Sequence, residues 1–137
     1  MNKITVVANI KAPLKMVWKC WTDPSHVVNW NFASNDWHCP SAENTLTVGG
    51  EFHYIMAAKD ESFSFDFWGK FVHIEEEKLI EIMLGDGRKM SLMFESVGDE
   101  TTVTETFDPE DTNPVELQKE GWQAILDNFK RYTEAGF

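Results

Sequence analysis

Residues 113–136 read NPVELQKEGWQAILDNFKRYTEAG, and this stretch predicts one long helix. Asn113 is suited to the N-cap, Pro114 to the first helical position and Glu116 to a capping box. Gly136 follows the last helical residue, where glycine is common. A helix with a broad apolar face needs a sheet to cover it. Its apolar residues fall largely on one stripe at helical spacing: Val115, Trp122, Ile125, Leu126, Phe129 and Tyr132.

Gly121 lies in the middle of this predicted helix. A glycine there costs roughly 1 kcal/mol relative to alanine. Either the helix tolerates this loss, or a strand of the covering sheet passes too close to Gly121 to leave room for a Cβ atom.

The chain of 137 residues is predicted to form one domain, residues 1–137, which is long enough to bury a core. Its net charge of −11 argues against nucleic acid and anionic membranes as partners. The N-terminal stretch MNKITVVANI lacks the pattern of a signal peptide, and no apolar run approaches membrane-spanning length. Cys20 and Cys39 are too few for a disulfide framework, so we expect free thiols in a reducing cytoplasm.

Upstream of the helix, alternating apolar residues predict a series of strands. Residues 4–10 form the first, and Pro13 and the pair Asp23-Pro24 then begin two short helices. The strand that contains Gly69 is apolar on both faces, so it is either central in the sheet or changes phase at a β-bulge, for which Gly69 is a candidate. Strands in series followed by a helix indicate an α+β fold. The later strands are predicted at 51–56, 63–74, 79–84, 90–94 and 102–107.

Residues 31–47, NFASNDWHCPSAENTLT, have no clean period and are predicted to form a long loop. Loops longer than about 12 residues without structure of their own are usually functional or disordered. Aromatic residues in this loop argue for order. The loop either forms a polar and aromatic mouth above a cavity or caps itself with turn-forming side chains. The candidates for the mouth are Trp37, His38, Asn31, Asp36, Glu43 and Asn44.

Several stretches match the residues and spacing of a known family. They are Val17-Trp18, Trp21-Thr22-Asp23-Pro24 and Trp30, Gly49-Gly50, Phe67 with Gly69 and Ile74, and Gly121-Trp122 with Ile125-Leu126. With the element order, they resemble the START-like (Bet v 1-like, SRPBCC) superfamily over essentially the whole chain. Within it, the chain is similar to the family related to the C-terminal domain of the activator of Hsp90 ATPase, in a bacterial branch with no settled activity.

The resemblance implies the helix-grip fold. In this fold a curved antiparallel sheet wraps around the long C-terminal helix, and two short helices after the first strand close one end. A cavity between sheet and helix often takes hydrophobic small molecules in this superfamily. Co-chaperone members in eukaryotes carry an additional N-terminal domain for which this chain has no room, so activation of Hsp90 is not carried over.

His38 and Cys39 are adjacent, and this arrangement lacks the spaced pairs of a zinc site. Side chains of neighbouring residues also usually diverge too far to form a Cys-His nucleophile. The chain has no Gly-rich phosphate loop and no nucleophile elbow. We therefore predict no metal and no cofactor.

Glu105 shares a strand face with Val103 and Phe107, so its carboxyl is a candidate to face inward. A buried carboxyl must be paired or have a raised pKa. Asp66 and Arg88 are possible neighbours. Either this face is partly open and Glu105 is solvated, or Glu105 is a polar anchor in an apolar cavity, the usual composition of a ligand site.

We expect a module that binds a hydrophobic or amphipathic small molecule between the sheet and the C-terminal helix. One alternative is an enzyme of the aromatase/cyclase type, with Glu105 or His38 as acid or base. Another is a chaperone-associated interaction protein, which only the family name suggests. Without a cavity, the aromatic residues would simply form the core. The predicted ligand-binding residues are Trp37, His38, Phe52, Tyr54, Phe67, Met90, Leu92, Glu105, Trp122, Ile125 and Phe129.

Overall fold

The computed structural model describes residues 3–136, which form seven strands and three helices. All strands join one curved antiparallel sheet in the order β1-β7-β6-β5-β4-β3-β2, with the C-terminal helix against its concave face. This confirms the predicted α+β helix-grip fold. The elements are β1 (Ile4–Ile10), α1 (Leu14–Thr22), α2 (Pro24–Val27), β2 (Trp37–Asn44), β3 (Glu51–Ala58), β4 (Ser64–Glu75), β5 (Leu79–Leu84), β6 (Lys89–Val97), β7 (Glu100–Phe107) and α3 (Val115–Ala135).

The concave face of the sheet is apolar because successive side chains of a strand point to opposite faces. Strand β1 buries every second residue from Ile4 to Ile10. Strand β7 does the same from Thr101 to Phe107. The strand alternation predicted from the sequence is therefore confirmed in both strands.

Helix α3 packs most closely through its C-terminal half. Leu126 and Phe129 are fully buried there. Near the middle of the helix, Gln123 Nε2 donates to the carbonyl oxygen of Val7 at 3.1 Å. This bond pairs a carbonyl group on the free edge of β1. Unpaired backbone groups on an edge strand can pair with another chain and promote aggregation. Val115, at the other end of α3, is 50% exposed, so its predicted place on the buried stripe is wrong.

The N-terminus of α3 is closed in a way that the sequence did not predict. Pro114 occupies the N-cap position and no side chain caps the helix there, so the predicted cap by Asn113 and capping box with Glu116 are wrong. Instead the amide of Gln118 folds back onto the preceding loop. Its Nε2 donates to the carbonyl oxygen of Asn113 at 2.7 Å, and its Oε1 accepts from the Glu110 N–H at 2.8 Å.

The predicted loop at 31–47 contains strand β2, which pairs with β3 at the edge of the sheet. The prediction of a continuous loop is therefore wrong. Its register shifts between His38 and Ser41. Pro40, which has no N–H to donate, lies in this interruption, and proline is tolerated on an edge strand. An edge strand with an interrupted register shows no clean alternation, which explains why the sequence pattern was missed.

Of Gly69 and Gly121, it is Gly69 that lies at a close approach. A Cβ atom on Gly69 would lie 2.8 Å from the carbonyl oxygen of Met83 and 2.9 Å from the ring of Phe52. Of the two alternatives for this strand, the inner position is confirmed, since β4 lies between β5 and β3. A β-bulge at Gly69 is wrong, because the register between β4 and β5 shifts between Phe71 and His73.

A Cβ atom on Gly121 would meet nothing within 4 Å, apart from the backbone of its own helix. The interpretation that a strand passes too close to this residue is therefore wrong. Gly136 ends α3 in the left-handed conformation, with φ of 72°, as predicted.

Helices α1 and α2 close one end of the sheet. Asp23 caps α2 as predicted, since its Oδ1 accepts from the Ser25 N–H at 2.9 Å. The rings of Trp21, Trp30 and Phe129 pack against each other with centroids 4.7, 4.8 and 4.9 Å apart. This end of the space beneath α3 is therefore filled by aromatic side chains.

Cys20 and Cys39 are both buried free thiols, as predicted. Within residues 3–136, no helix is long and apolar enough to cross a membrane.

Candidate functional site

A cavity of about 230 Å³ lies between the concave face of the sheet and the N-terminal half of α3. Its wall is largely apolar and comes from six strands, α3 and the segment around α1 and α2. Eight of the predicted ligand-binding residues line it: Phe52, Tyr54, Phe67, Met90, Leu92, Glu105, Trp122 and Ile125.

Aromatic rings form opposite sides of this cavity. On the sheet, the ring of Phe52 lies 5.5 Å from that of Phe67, centroid to centroid. On α3, Trp122 stacks on Phe107 at 3.7 Å with an interplanar angle of 16°. Trp122 also meets Phe67 edge to face at 5.9 Å, so it joins the two sides of the wall.

Glu105 is the carboxyl of the cavity wall. It lies on β7 between Val6 of β1 and Leu92 of β6, and only 5% of it is exposed. Burial raises the pKa of Glu105 to about 8, because the ionised form loses its hydration. Within residues 3–136, no hydrogen bond or ion pair of its side chain is present. The carboxyl therefore lies inside the cavity and not on an open face of the sheet.

Neither of the two neighbours considered for Glu105 pairs with it. Asp66 lies on the outer face of the sheet, where it accepts a hydrogen bond from His53 Nδ1 at 2.7 Å. Arg88 lines the cavity, but its Nε donates to Asp86 Oδ2 at 2.7 Å. The Glu105 carboxyl thus has no counter-charge of its own.

A second polar group lies in the wall near α1. Asn44 Nδ2 donates to Tyr54 Oη at 3.0 Å and to the carbonyl oxygen of Thr22 at 2.8 Å. Burial raises the pKa of Tyr54 to about 12, so the phenol stays neutral. Asn44 was predicted for a mouth above the cavity, whereas the structure places it in the cavity wall.

The mouth opens beside the N-terminal half of α3. An outer groove there shares Met56, Phe65, Arg88, Trp122 and Ile125 with the cavity, so the two spaces adjoin each other at these side chains. The groove is otherwise lined by Ala33, Ser34, Trp37, Glu110, Asn113, Leu117, Gln118 and Gly121.

The remaining predicted residues lie outside the cavity. Trp37 lines the outer groove and packs against Phe63 and Phe65, with centroids 6.1 Å away in each case. His38, on β2, pairs with Ala57 of β3 and lines neither the cavity nor the outer groove. Phe129 is fully buried at the filled end. Among residues 3–136 there is no group of three or more potential ligands that could hold a metal ion.

Sequence reasoning missed part of the wall. Phe65 shares the strand phase of Phe67, and Met56 shares that of Phe52 and Tyr54, so alternation alone could have found both. Trp21 and Trp30 come from the helical end, and only their packing in the fold brings them to the cavity. The wall residues not predicted as ligand-binding are Trp21, Thr22, Trp30, Asn31, Asn44, Leu46, Met56, Phe65, Phe71, Ile80, Ile82 and Arg88.

A curved antiparallel sheet over a long C-terminal helix, with a largely apolar cavity between them, defines the helix-grip, START-like class. The family model described as Activator of Hsp90 ATPase homolog 1-like protein matches residues 11–134. The chain therefore belongs to this family.

Solved structures agree with this assignment. The AHSA1-like protein from Aeromonas hydrophila is 44% identical, with a TM-score of 0.92 over 98% of this chain and 94% of that chain. A protein from Cytophaga hutchinsonii is 51% identical, with a TM-score of 0.85 over 99% and 94%. A protein from Nitrosomonas europaea shares the fold at 16% identity, with a TM-score of 0.83 over 98% and 95%. No curated protein shows significant similarity to the chain.

Proposed function

We propose that the protein binds a small apolar or amphipathic molecule in the cavity beneath α3. The observation that carries this proposal is a largely apolar space of about 230 Å³ that adjoins an outer groove. Well-packed interiors contain few voids larger than a water molecule. A void of this size, lined by aromatic rings and a few polar groups, has the composition of a ligand site.

The size of the cavity limits the ligand. Pockets for drug-sized molecules span roughly 300–1,000 Å³. The cavity is smaller than this range, so a molecule with a single ring and a short chain fits better than a steroid or a long fatty acid.

Binding of 4-phenylbutan-1-ol, a neutral amphipathic probe, tests the proposal. We expect saturable heat in isothermal titration and a rise in melting temperature, because a ligand that binds only the folded state stabilises it. Trp122 emission should change as the probe enters. The Trp122→Phe variant should lose that change. The matched variant Trp68→Phe should keep it, because Trp68 stacks on His53, away from the cavity wall.

Filling the cavity gives a second test. Ile125 lines both the cavity and the groove, so Ile125→Trp should block binding in a folded protein. Val115→Trp places the same side chain on an exposed position of the same helix and should bind as the wild type does. Equal binding by both variants would show that the probe binds elsewhere.

A second candidate is an acid–base enzyme of the aromatase/cyclase type. Glu105 favours it, because a carboxyl with a pKa of about 8 inside a cavity can exchange protons near neutral pH. His38 does not line the cavity and is not part of this candidate. The test is exchange of the α-proton of benzoylacetone for deuterium, followed by NMR. Exchange no faster than in buffer, or equally fast with Glu105→Gln, would reject the enzyme.

The third possibility is an interaction domain, in keeping with the description of the family. It would replace the binding proposal if no probe entered the cavity. Phe63 and Leu117, which are 58% and 55% exposed near the mouth, would then be the first residues to test as protein contacts.

A further inference from the structure

The Glu105 carboxyl is the feature of the cavity that packing does not explain. Only 5% of the Glu105 residue is exposed, and its side chain belongs to the cavity wall. Within residues 3–136 the carboxyl has no hydrogen-bond partner. Buried polar groups in proteins are nearly always paired, and an unpaired one calls for an explanation. A group supplied by a ligand is one such explanation.

We propose that the cavity selects small apolar amines, with the nitrogen bound by Glu105 and the apolar part held by the aromatic wall. This inference rests on the proposed function, since it names the ligand of the same cavity. The polar end of the ligand is then positively charged.

The charges around the cavity argue against the opposite choice, an apolar carboxylate. Such a ligand would bring a second carboxyl next to Glu105, and like charges disfavour each other strongly in an apolar space. Arg88 is the cation of the wall, but its Nε binds Asp86 and its Nη1 donates to the carbonyl oxygen of Asp108 at 3.2 Å. The net charge of −11 also repels anions and attracts cations.

The aromatic wall supports the same choice. An ammonium group is attracted to the faces of tryptophan, tyrosine and phenylalanine, and aromatic cages are a known means of binding amines. Phe52, Phe67 and Trp122 lie in the same wall as Glu105. An ion-paired hydrogen bond to a carboxylate is about twice as strong as a neutral one. An amine therefore gains more from this wall than the corresponding alcohol.

Proton exchange accompanies binding of an amine. The empty site holds Glu105 largely protonated at pH 7, because burial raises its pKa to about 8. An ammonium ligand binds the ionised form, so binding below pH 8 releases a proton. The other titratable residues of the wall are Tyr54, which is neutral over this range, and Arg88, which stays charged. The lining residues of α3, Trp122 and Ile125, carry no charge.

The test uses three probes of one shape: 4-phenylbutylamine, 4-phenylbutan-1-ol and 4-phenylbutanoate. By isothermal titration at pH 8, we expect the amine to bind at least tenfold more tightly than the alcohol and the carboxylate to bind most weakly. The amine affinity should rise about tenfold from pH 6 to pH 7 and level off above pH 8. Titration in buffers of different ionisation enthalpy should show about one proton released per amine at pH 6–7.

Glu105→Gln keeps the shape of the side chain and removes its charge. We expect it to abolish the pH dependence and to collapse the preference for amine over alcohol. Glu95→Gln removes the same charge from an exposed position on β6 and should keep the preference. Equal affinities of amine and alcohol in the wild type, or proton release that survives in Glu105→Gln, would overturn the inference and leave the proposed function standing. Failure of all three probes to bind would reject both.

Discussion

The two halves of helix α3 differ in what lies beneath them. Beneath the C-terminal half, Phe129 packs against Trp21 and Trp30 with no space between the rings. Beneath the N-terminal half, Trp122 and Ile125 face a cavity. One helix with a single apolar stripe thus contributes packing at one end and a binding surface at the other. Apolar periodicity identifies the stripe but does not distinguish these two uses.

The hydrogen bonds of α3 follow the same division. In the C-terminal half, Lys130 Nζ donates to the carbonyl oxygen of Asn9, and Glu134 Oε2 accepts from the Lys11 N–H at 2.8 Å. These bonds fix the helix to the end of β1. In the N-terminal half, Gln118 binds the loop that leads into α3. We therefore expect the C-terminal half to hold the helix in place and the N-terminal half to admit a ligand.

The largest expected difference between the halves is in stability. Phe129→Ala should lower the free energy of unfolding by about 3–5 kcal/mol, because it leaves a cavity among fully packed rings. Ile125→Ala should cost less than about 2 kcal/mol, because Ile125 is partly exposed and already borders an empty space. Urea denaturation followed by circular dichroism measures both. Equal losses would mean that the two halves are packed equally.

The sheet beneath the cavity half is itself tightly packed, and Gly69 tests this. Gly69→Ala should destabilise the fold by about 1–3 kcal/mol, because its Cβ atom would overlap the Met83 carbonyl oxygen and the ring of Phe52. The ring of Phe52 belongs to the cavity wall, so the same variant should also weaken binding of 4-phenylbutan-1-ol. A wild-type denaturation midpoint would contradict the close approach.

The cavity half also contains a buried carboxyl, that of Glu105. Burial raises the pKa of Glu105 from 4.5 to about 8, so the folded state holds this proton more tightly than the unfolded state does. The resulting stability is complete below about pH 4.5 and is lost as the pH rises through about 8. Between pH 6 and pH 8, the wild type should lose about 2 kcal/mol relative to Glu105→Gln.

The difference between the two proteins is the quantity to measure, by urea denaturation at each pH. Hydrogen bonds to Asp66 and Glu51 raise the pKa of His53, but His53 contributes equally to both proteins. Parallel stability curves for wild type and Glu105→Gln would show that Glu105 is hydrated in solution.

The sequence alone predicts much of this architecture, because strand alternation and helical spacing report burial directly. The inward face of Glu105 follows from the phase it shares with Val103 and Phe107. Other features depend on neighbours that are distant in sequence. Phe129 and Trp122 belong to one predicted stripe. Phe129 is packed because Trp21 and Trp30 lie against it, whereas Trp122 borders the cavity.

The two glycines show the same limit. The sequence offered a close approach at Gly121 and a β-bulge at Gly69 as alternatives, yet of the two it is Gly69 that has close neighbours. Strand β2 was missed because an interrupted edge strand loses the alternation that identifies a strand. The sequence therefore predicts which residues face inward better than it predicts what they face.

Gly121 gives the smallest expected effect, and its sign distinguishes the halves. In a packed helix, adding a methyl group creates overlap and destabilises the fold. At Gly121 the new Cβ atom meets nothing within 4 Å, so Gly121→Ala should gain helix propensity and stabilise the protein by up to about 1 kcal/mol. Because Gly121 lines the groove outside the cavity, the methyl group narrows the mouth. We expect slower association of 4-phenylbutan-1-ol, measured by stopped-flow Trp122 fluorescence. The control is Ala135→Gly, which reverses the exchange at the far end of α3 and should leave association unchanged. A loss of stability in Gly121→Ala would mean that the N-terminal half of α3 lies closer to the sheet in solution, with the cavity closed.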